Sequence, residues 1–278
     1  MRQSARIKNW SFGLNKEIER ACFQVGTLGG GNHFIELQRD ENDRLGIMVH
    51  SGSRNLGFTL CNFFNKKAKA LNSEWHSPLP SKWDLAYLPI DSEAGEAYIQ
   101  WMQFALDFAA ENRERILDKV MVIIRQQVQK HAGHTQFEIT EHLHCHHNYA
   151  SLETHNGKNL WIHRKGAIRV DTGEAGIIPG AMGSYSYLVR GKGSIDSFNS
   201  CSHGAGRMMS RKAAKEKFGV QETIGDLNAL GVYLGKVKTA DLGEESRQAY
   251  KNIDDVINNE LDLIEPVRKL KTLAVVKG

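Results

Sequence analysis

Histidines stand beside glycine or in a cluster at four places in this sequence, and both residue types serve phosphate and metal chemistry. The four motifs are GGGNH (residues 29–33), HSGSR (50–54), HLHCHHN (142–148) and SHGAGR (202–207). Glycine lets backbone N–H groups approach an anion closely, and imidazole with thiolate can ligate zinc, manganese or iron. The motifs therefore indicate a phosphate or metal site, although each one alone is also compatible with an ordinary polar turn or strand end.

The SHGAGR motif supplies the best candidate nucleophile. Ser202 is a favoured N-cap residue, so the pattern predicts a helix from Ser202 through Phe218, closed by Gly219. Such a helix would place His203 where backbone N–H groups favour a phosphate, with Arg207 one turn further on the same face. A neutral imidazole held there could attack phosphorus and become a phosphoramidate. A glycine-rich helix start without a chemical role is the alternative interpretation.

The histidine-rich tract FEITEHLHCHH (residues 137–147) alternates like a strand. On a strand His142, His144 and His146 would share one face, and Cys145 and His147 the other, so the tract cannot bind one ion with all its side chains. A zinc-dependent hydrolase built on this tract is one interpretation. It leaves the SHGAGR motif unexplained, and no serine-hydrolase elbow or P-loop pattern occurs in the chain.

The elements that must position these motifs are short strands mixed with a few helices. HFIELQ and LGIMVH, separated by DEND, predict a hairpin, and NLWIHRKGAIRV predicts two strands with a turn at Lys165–Gly166. Apolar spacing predicts helices over about 56–71, 98–131 and 253–264, followed by a short last strand, TLAVV. Strands and helices do not alternate regularly, which favours an α+β fold, and no boundary divides the chain, so we expect one domain over residues 1–278.

Composition sets the class of protein. The chain has 278 residues, of which 41% are hydrophobic and 24% charged, which is typical of globular proteins and excludes a disordered chain or a coiled coil. No run of about 18 apolar residues and no apolar leader segment occurs, so we expect a cytoplasmic protein without a membrane span. Four cysteines without a CxxC pair indicate free thiols, and the net charge of +4 permits an anionic partner without requiring one.

Eight strings in series carry a family resemblance: GTLGGGNHFIE, VHSGSRNLG, HHNYA, HRKGAI, PGAMGSYSYLV, SHGAGRMMSR, AYKNID and the terminal VVKG. From about residue 23 to the last residue, the chain resembles the RtcB family of RNA-splicing and RNA-repair ligases. The resemblance implies an α+β fold particular to that family. It also implies an enzyme that uses GTP and two manganese ions to join an RNA 3′-phosphate or 2′,3′-cyclic phosphate to a 5′-hydroxyl.

The resemblance also implies roles for individual residues. His203 would attack the α-phosphate of GTP and carry GMP, with Arg207, Lys165 and Arg54 acting beside it on the phosphates. The implied metal ligands are His33, His50 and His147, and the implied nucleotide contacts are Asn32, Phe34, Glu36, Asn148, Ser186, Ala205, Gly206, Tyr250 and Lys277. A carboxylate such as Glu36 can accept from guanine N1–H and N2–H₂, and a lysine such as Lys277 can donate to an acceptor.

Two departures from the family pattern leave an alternative open. The family's PGSMG loop has alanine here at position 181. Family members also carry about a third more chain before the GTLG motif, holding an Asp-x-x-Cys pair whose thiolate bridges two manganese ions. Cys22 has Glu19 three residues before it and is not such a pair. Neutral imidazoles alone hold a divalent ion less firmly, so a nucleotide- or RNA-binding relative that does not ligate is the second hypothesis.

Overall fold

The computed structural model describes residues 14–134, 136–235 and 239–278. The helices are α1 (Asn15–Cys22), α2 (Arg54–Glu74), α3 (Glu93–Ala132), α4 (Arg211–Lys217), α5 (Val220–Ala229) and α6 (Ile253–Asn258). The strands are β1 (Phe34–Arg39), β2 (Leu45–His50), β3 (Asn148–His155), β4 (Lys158–Lys165), β5 (Ala167–Arg169), β6 (Ala175–Ile178), β7 (Tyr185–Gly191), β8 (Ser200–Ser202), β9 (Tyr233–Gly235) and β10 (Ile264–Lys277). This mixture confirms the predicted α+β class.

The backbone forms two compact units, and the first comprises residues 1–29 and 51–124. In its described part it is helical, with α1, α2 and the portion of α3 that ends at Ile124. Leu56, Leu60 and Phe64 recur along one face of α2 and are buried with Trp101 of α3. Helix α2 therefore confirms the helix predicted over 56–71. Helix α3 confirms the long predicted helix, and the Ser92 hydroxyl caps it by accepting from the backbone N–H of Gly95 at 3.1 Å.

One buried side chain in the first unit fixes the loops that lead to and from the β1–β2 hairpin. Asn112 of α3 accepts hydrogen bonds from the backbone N–H groups of Gly26 at 2.7 Å and Thr27 at 3.1 Å. Its amide donates to the Ser51 hydroxyl at 2.9 Å and to the Gly52 carbonyl at 3.2 Å. Both glycine loops are therefore held by a fully satisfied buried amide.

The second unit comprises residues 30–50 and 125–278 and is built on a six-stranded sheet. The strand order is β2-β1-β10-β7-β6, with β9 pairing parallel to β10. The predicted β1–β2 hairpin is confirmed, with Phe34 opposite His50. The sheet buries one apolar cluster around Val189, Ile168 and Ile264, and another around Phe34 and Val275. Strands β3 and β4 form a separate hairpin, and β5 pairs with β8.

Strand β10 is much longer than the TLAVV segment predicted from the sequence. It runs for 14 residues and pairs with β7 through its first half and with β1 through its second. The first half was not predicted as a strand because it contains Pro266, and proline cannot donate a hydrogen bond to a neighbouring strand. Pro266 lies where the register of pairing with β7 shifts. A second irregularity lies opposite Leu37 and Gln38 of β1. It puts Thr272, Val275 and Lys277 on the same buried side of β10.

Two predicted elements are wrong, and a third is shorter than predicted. The helix predicted from Ser202 does not form: β8 ends at Ser202, and α4 begins only at Arg211. Ser210 is the true N-cap and accepts from the backbone N–H of Ala213, because the glycines at 204 and 206 favour an irregular backbone before it. Described residues between 136 and 147 contain no strand, and the helix predicted over 253–264 ends at Asn258.

None of the helices in the described ranges combines sufficient length with sufficient apolar character to cross a membrane. The single domain expected over residues 1–278 stays a prediction.

Candidate active site

A pocket of about 270 Å³ opens in the second unit. Its lining brings together many of the side chains singled out in the sequence, supplied by β1, β2, the loop after β6, the segment after β8 and the end of β10. The predicted residues that line it are Asn32, Phe34, Glu36, His50, His203, Ala205, Gly206, Arg207, Tyr250 and Lys277. Residues from five of the eight strings thus meet in one concave site, which is the usual form of a small-ligand site.

Strand β1 supplies a buried carboxyl group to the pocket. Its side chains alternate, so Phe34 and Glu36 face the same buried side. Glu36 accepts from the Gln38 amide at 2.7 Å and from the Thr272 hydroxyl at 3.3 Å. Burial raises the pKa of Glu36 to about 7, although Gln38 and the nearby Lys277 act against this rise. The carboxyl group is therefore poised between its neutral and ionised forms near neutral pH.

The ammonium group of Lys277 reaches the pocket from the last residue of β10. Lys277 lies opposite Phe34 in the ladder, and its Nζ is 5.3 Å from the centre of the Phe34 ring. It forms a buried ion pair with Glu245, at 3.1 Å between Nζ and Oε2. Burial alone would raise the pKa of Glu245, but Lys277 and Tyr250 hold it below its usual range. The pocket therefore contains one ionised carboxylate, Glu245, and one carboxyl group, Glu36, whose pKa is about 7.

Four histidine rings cluster beside the pocket. The Nε2 atoms of His50 and His147 lie 3.3 Å apart. Ring centres are 6.2 Å apart for His33 and His50, and 4.9 Å apart for His147 and His203. Burial lowers the pKa of His50 to about 3, and the neighbouring His147 and His33 rings contribute to this lowering. Its imidazole is therefore neutral, with a lone pair available, at ordinary pH.

The His50–His147 pair fits a shared metal ion. Two imidazole nitrogens bound to one ion at about 2.1 Å and at angles of about 90–110° would lie roughly 3.0–3.4 Å apart. The observed Nε2–Nε2 separation of 3.3 Å is within that range. The prediction that His147 faces away from His142 was argued from a strand that does not exist, whereas His142 and His144 lie against each other with ring centres 5.2 Å apart.

His203 is positioned by a strand end and not by a helix N-terminus. It follows β8 directly, and the carboxylate of Glu260 accepts from the backbone N–H and the hydroxyl of Ser202. The His203 ring also hydrogen-bonds the backbone of Gly166, which opposes the lowering of its pKa by burial. The Gly166 N–H donates to the His147 carbonyl at 2.8 Å, so the Gly166 carbonyl remains as the acceptor for the ring N–H.

Glycine at position 166 is required by this arrangement. Its φ is +71°, and a Cβ there would lie 3.3 Å from Cε1 and 3.4 Å from Nδ1 of His203. The Nδ1 edge of the His203 ring therefore faces Gly166. The opposite nitrogen, Nε2, is therefore the ring atom whose lone pair can react with a ligand.

The remaining predicted residues lie outside the pocket lining. Ser186 is behind it, where its hydroxyl contacts the Gln38 amide at 3.0 Å and the Gly180 N–H at 3.3 Å. Asn148 and Lys165 are cross-strand partners at the base of the β3–β4 hairpin. Arg54 belongs to the first unit, where its guanidinium lies against Gly29 and Thr27. The phosphate roles expected for these residues stay predictions.

Some lining residues were missed by the sequence reasoning. Glu245 and Arg211 line the pocket, together with the loop residues Pro179, Gly180, Ala181 and Met182. The loop lies within the PGAMG string, and Glu245 comes just before AYKNID, so proximity to these strings was the available signal. Position 181 is 4% exposed, so the alanine that replaces the family's serine is packed against its surroundings.

Comparisons with known proteins identify the family of this chain. A family model described as tRNA-splicing ligase RtcB matches residues 3–278. The RNA-splicing ligase RtcB of Escherichia coli K12 is 40% identical over 254 residues, covering 91% of this chain and 61% of that protein. The tRNA-splicing ligase RtcB of Thermococcus kodakarensis is 32% identical over 298 residues, covering 95% of this chain and 61% of that protein.

Fold and site together define an α+β protein with a pocket for a small ligand beside a histidine cluster. The family model matches almost the whole length of this chain, and the chain therefore belongs to the RtcB family. It spans about three fifths of the length of the curated relatives it matches, 61% in both cases above.

Proposed function

We propose that this chain carries the nucleotide-binding and nucleophilic part of a GTP- and Mn²⁺-dependent RNA ligase. Its substrates would be RNA ends with a 3′-phosphate or 2′,3′-cyclic phosphate and RNA ends with a 5′-hydroxyl, in a cytoplasmic RNA-repair or tRNA-splicing reaction. The names of its relatives, RNA-splicing and tRNA-splicing ligases, support this class of substrate.

One observation carries the proposal: His203 lines the pocket and also belongs to the histidine cluster. It is a lining residue together with Glu36 and Lys277, and its ring centre is 4.9 Å from that of His147. A nucleotide bound in the pocket would therefore have its phosphates beside both a nucleophile and a pair of metal-ligating nitrogens. Neither a simple nucleotide-binding fold nor an isolated metal site requires this combination.

The base would be read by Glu36 and Lys277. In its ionised form the Glu36 carboxylate can accept from guanine N1–H and N2–H₂, and the Lys277 ammonium can donate to O6. Adenine presents an amino donor where guanine has the acceptor O6, so the Lys277 ammonium would face a second donor and could not form this hydrogen bond. Phe34 and Tyr250 are pocket-lining rings that offer apolar contact area to the base or the ribose.

His203 would act as the nucleophile. Its neutral Nε2 attacks the α-phosphorus of GTP, a P–N bond forms, and the bond to the bridging oxygen breaks with release of pyrophosphate. Gly166 keeps the ring proton on the opposite nitrogen, and Arg207 lies in the same pocket lining to offset negative charge. The GMP group is then available for transfer to the RNA 3′-phosphate.

His33, His50 and His147 would hold the metal. When bound, manganese would neutralise phosphate charge during the transfer. The histidines themselves bring imidazole nitrogens to one place, and the nitrogen of His50 is neutral because burial lowers the pKa of its ring.

The experiment is nucleotide labelling. We expect the protein, incubated with Mn²⁺ and GTP labelled at the α-phosphate, to retain an acid-labile label, because phosphorus–nitrogen bonds hydrolyse in acid. His203→Ala should abolish the label. His163→Ala is the matched control, because His163 is an exposed imidazole on β4 that does not line the pocket, and it should label normally. Persistent label in His203→Ala would refute the assignment.

A further inference from the structure

Three donors that line the pocket converge on Glu245. This residue ends the 3-10 turn Leu242–Glu245 and is 5% exposed. Its Oε2 accepts from Lys277 Nζ at 3.1 Å and from the Tyr250 hydroxyl at 2.8 Å. Its Oε1 accepts from the Arg211 guanidinium at 2.5 Å. Both carboxylate oxygens are therefore engaged by side chains of the pocket.

We propose that Glu245 is a positioning residue that makes this pocket select guanine over adenine, because it fixes the Lys277 ammonium where it can donate to the base. The inference rests on the proposed function and deepens it. Glu245 itself need not touch the nucleotide.

Lysine needs such a partner more than arginine would. Its ammonium is a point charge on a flexible four-carbon chain, without a rigid fork to set direction. The Lys277 side chain is 3% exposed, and an ammonium buried without a counter-charge is strongly disfavoured. Glu245 provides that counter-charge at 3.1 Å, and the side-chain amide oxygen of Asn32, Oδ1, accepts from the same Nζ at 3.4 Å. These two acceptors on opposite segments of the chain fix the direction in which Lys277 presents its group.

Glu36, the other buried carboxyl group nearby, already has hydrogen-bond partners of its own. Glu36 accepts from the Gln38 amide and the Thr272 hydroxyl, which hold it against β1 and β10. Lys277 forms its ion pair with Glu245. Removing the Glu245 charge should therefore release Lys277 without displacing Glu36.

The Arg207 guanidinium lies 3.8 Å from Glu245, but it is also held by hydrogen bonds to the Met209 and Glu244 carbonyls and to the Tyr250 hydroxyl. The consequence of removing the Glu245 charge therefore falls mainly on the base. GTP and ATP carry the same ribose and triphosphate, so contacts with those groups contribute equally to both. An ammonium can donate to O6 of guanine and cannot accept from the amino group of adenine. Losing the orientation of Lys277 should therefore lower the affinity for GTP and leave the weak affinity for ATP nearly unchanged.

The test is a double-mutant cycle on the full 278-residue chain. Dissociation constants for GTP and ATP are measured by calorimetry for the wild type, Glu245→Gln, Lys277→Met and the double variant. We expect Glu245→Gln to weaken GTP binding about tenfold and to change ATP binding less than about twofold. In the Lys277→Met background the same change should have almost no further effect on GTP, since the two residues act as one unit.

The matched control is Glu244→Gln. Glu244 is the adjacent carboxylate, pairs with the same Arg211 at 2.8 Å, and does not line the pocket. It should leave the ratio of GTP to ATP affinity unchanged. Thermal unfolding of every variant shows that the fold is retained. If Glu245→Gln does not fold, Glu245→Asp keeps the charge but withdraws it by one methylene, and it should lower the same ratio by a smaller factor.

Two results would overturn the inference. One is an equal loss of GTP and ATP affinity in Glu245→Gln, or a loss that adds fully to that of Lys277→Met, because Glu245 would then act through the fold. The other is an unchanged GTP-to-ATP ratio in folded Glu245→Gln and Glu245→Asp. A wild type without preference for GTP would instead refute the guanine assignment in the proposed function, so the two failures are distinguishable.

Discussion

At the scale of single residues, the family resemblance implied which side chains share a site, but not how they are held. His50, His147 and His203 lie together in the structure. The helix that was expected to position His203 is absent, and a strand end with Gly166 takes its place. Glu245 lies near the AYKNID string but outside it, and its importance comes from contacts with Tyr250 and Lys277 that only the folded chain brings about.

The first residue-scale prediction concerns pH and Glu36. Burial raises the pKa of its carboxyl group to about 7 without ligand, whereas guanine requires the ionised form. Below that pH binding must first remove a proton, so GTP affinity should fall by up to about tenfold per pH unit below about 7, and it should level off above it. Calorimetry in two buffers of different ionisation enthalpy should show proton release at pH 6 and little at pH 8. Equal proton release by Glu36→Gln would contradict this account.

The second residue-scale prediction concerns the metal ligands. His50 and His147 share the geometry of two nitrogens on one ion, whereas His142 and His144 contact each other. After dialysis against Mn²⁺, His50→Ala and His147→Ala should retain less metal than the wild type, because loss of one of two imidazoles greatly weakens the site. His163→Ala serves as the control. Normal metal content in His147→Ala together with loss in His142→Ala would reverse the assignment.

At the scale of elements, periodicity was sufficient where a helix or strand has a continuous apolar face, as in α2, α3 and the β1–β2 hairpin. It failed where local chemistry interrupts the pattern. Pro266 and three nearby basic side chains hid the first half of β10, which is stabilised by pairing with β7. The reverse error occurred at Ser202, where a good capping residue stands at the end of a strand and the cap is formed by Ser210.

The element-scale prediction concerns the turn after α6. Glu260 holds the end of β8 through the Ser202 N–H, at 3.1 Å, and thereby the backbone next to His203. Glu260→Ala should slow GMP labelling of His203 by about tenfold to hundredfold, because small displacements of a nucleophile are costly. GTP affinity should stay within about twofold, since Glu260 does not line the pocket. Glu265→Ala, an exposed glutamate of β10, is the control, and equal slowing by both variants would refute a local effect.

At the scale of the whole molecule, the order of the eight strings predicted the family and the α+β class. Composition could not reveal the two compact units, because their boundaries lie within the GGGNH motif, after β2 and inside α3, where the sequence shows no change of character. The position of Arg54 in the first unit likewise depends on how the chain folds, and the HSGSR motif does not encode it.

The whole-molecule prediction separates binding from joining. The pocket residues Phe34, Glu36, Tyr250 and Lys277 are all in this chain, whereas its 278 residues contain no Asp-x-x-Cys pair. We expect calorimetry to detect GTP binding, and we expect little joining of a 3′-phosphate RNA to a 5′-hydroxyl RNA, because positioning and charge neutralisation each contribute several kcal/mol to such a reaction. Robust joining by these 278 residues alone would show that our account of the metal ligands is wrong.

The pairing of β1 with β10 has a consequence for how the protein is made. Thr272 follows its hydrogen-bond partner Glu36 by 236 residues. At translation rates of about 5–20 residues per second, the β1–β2 hairpin waits roughly 12–47 seconds before its neighbouring strand leaves the ribosome. Through that interval the unpaired edge of β1 is open to other nascent chains. Chaperone supply and speed of synthesis should therefore affect the yield of this protein.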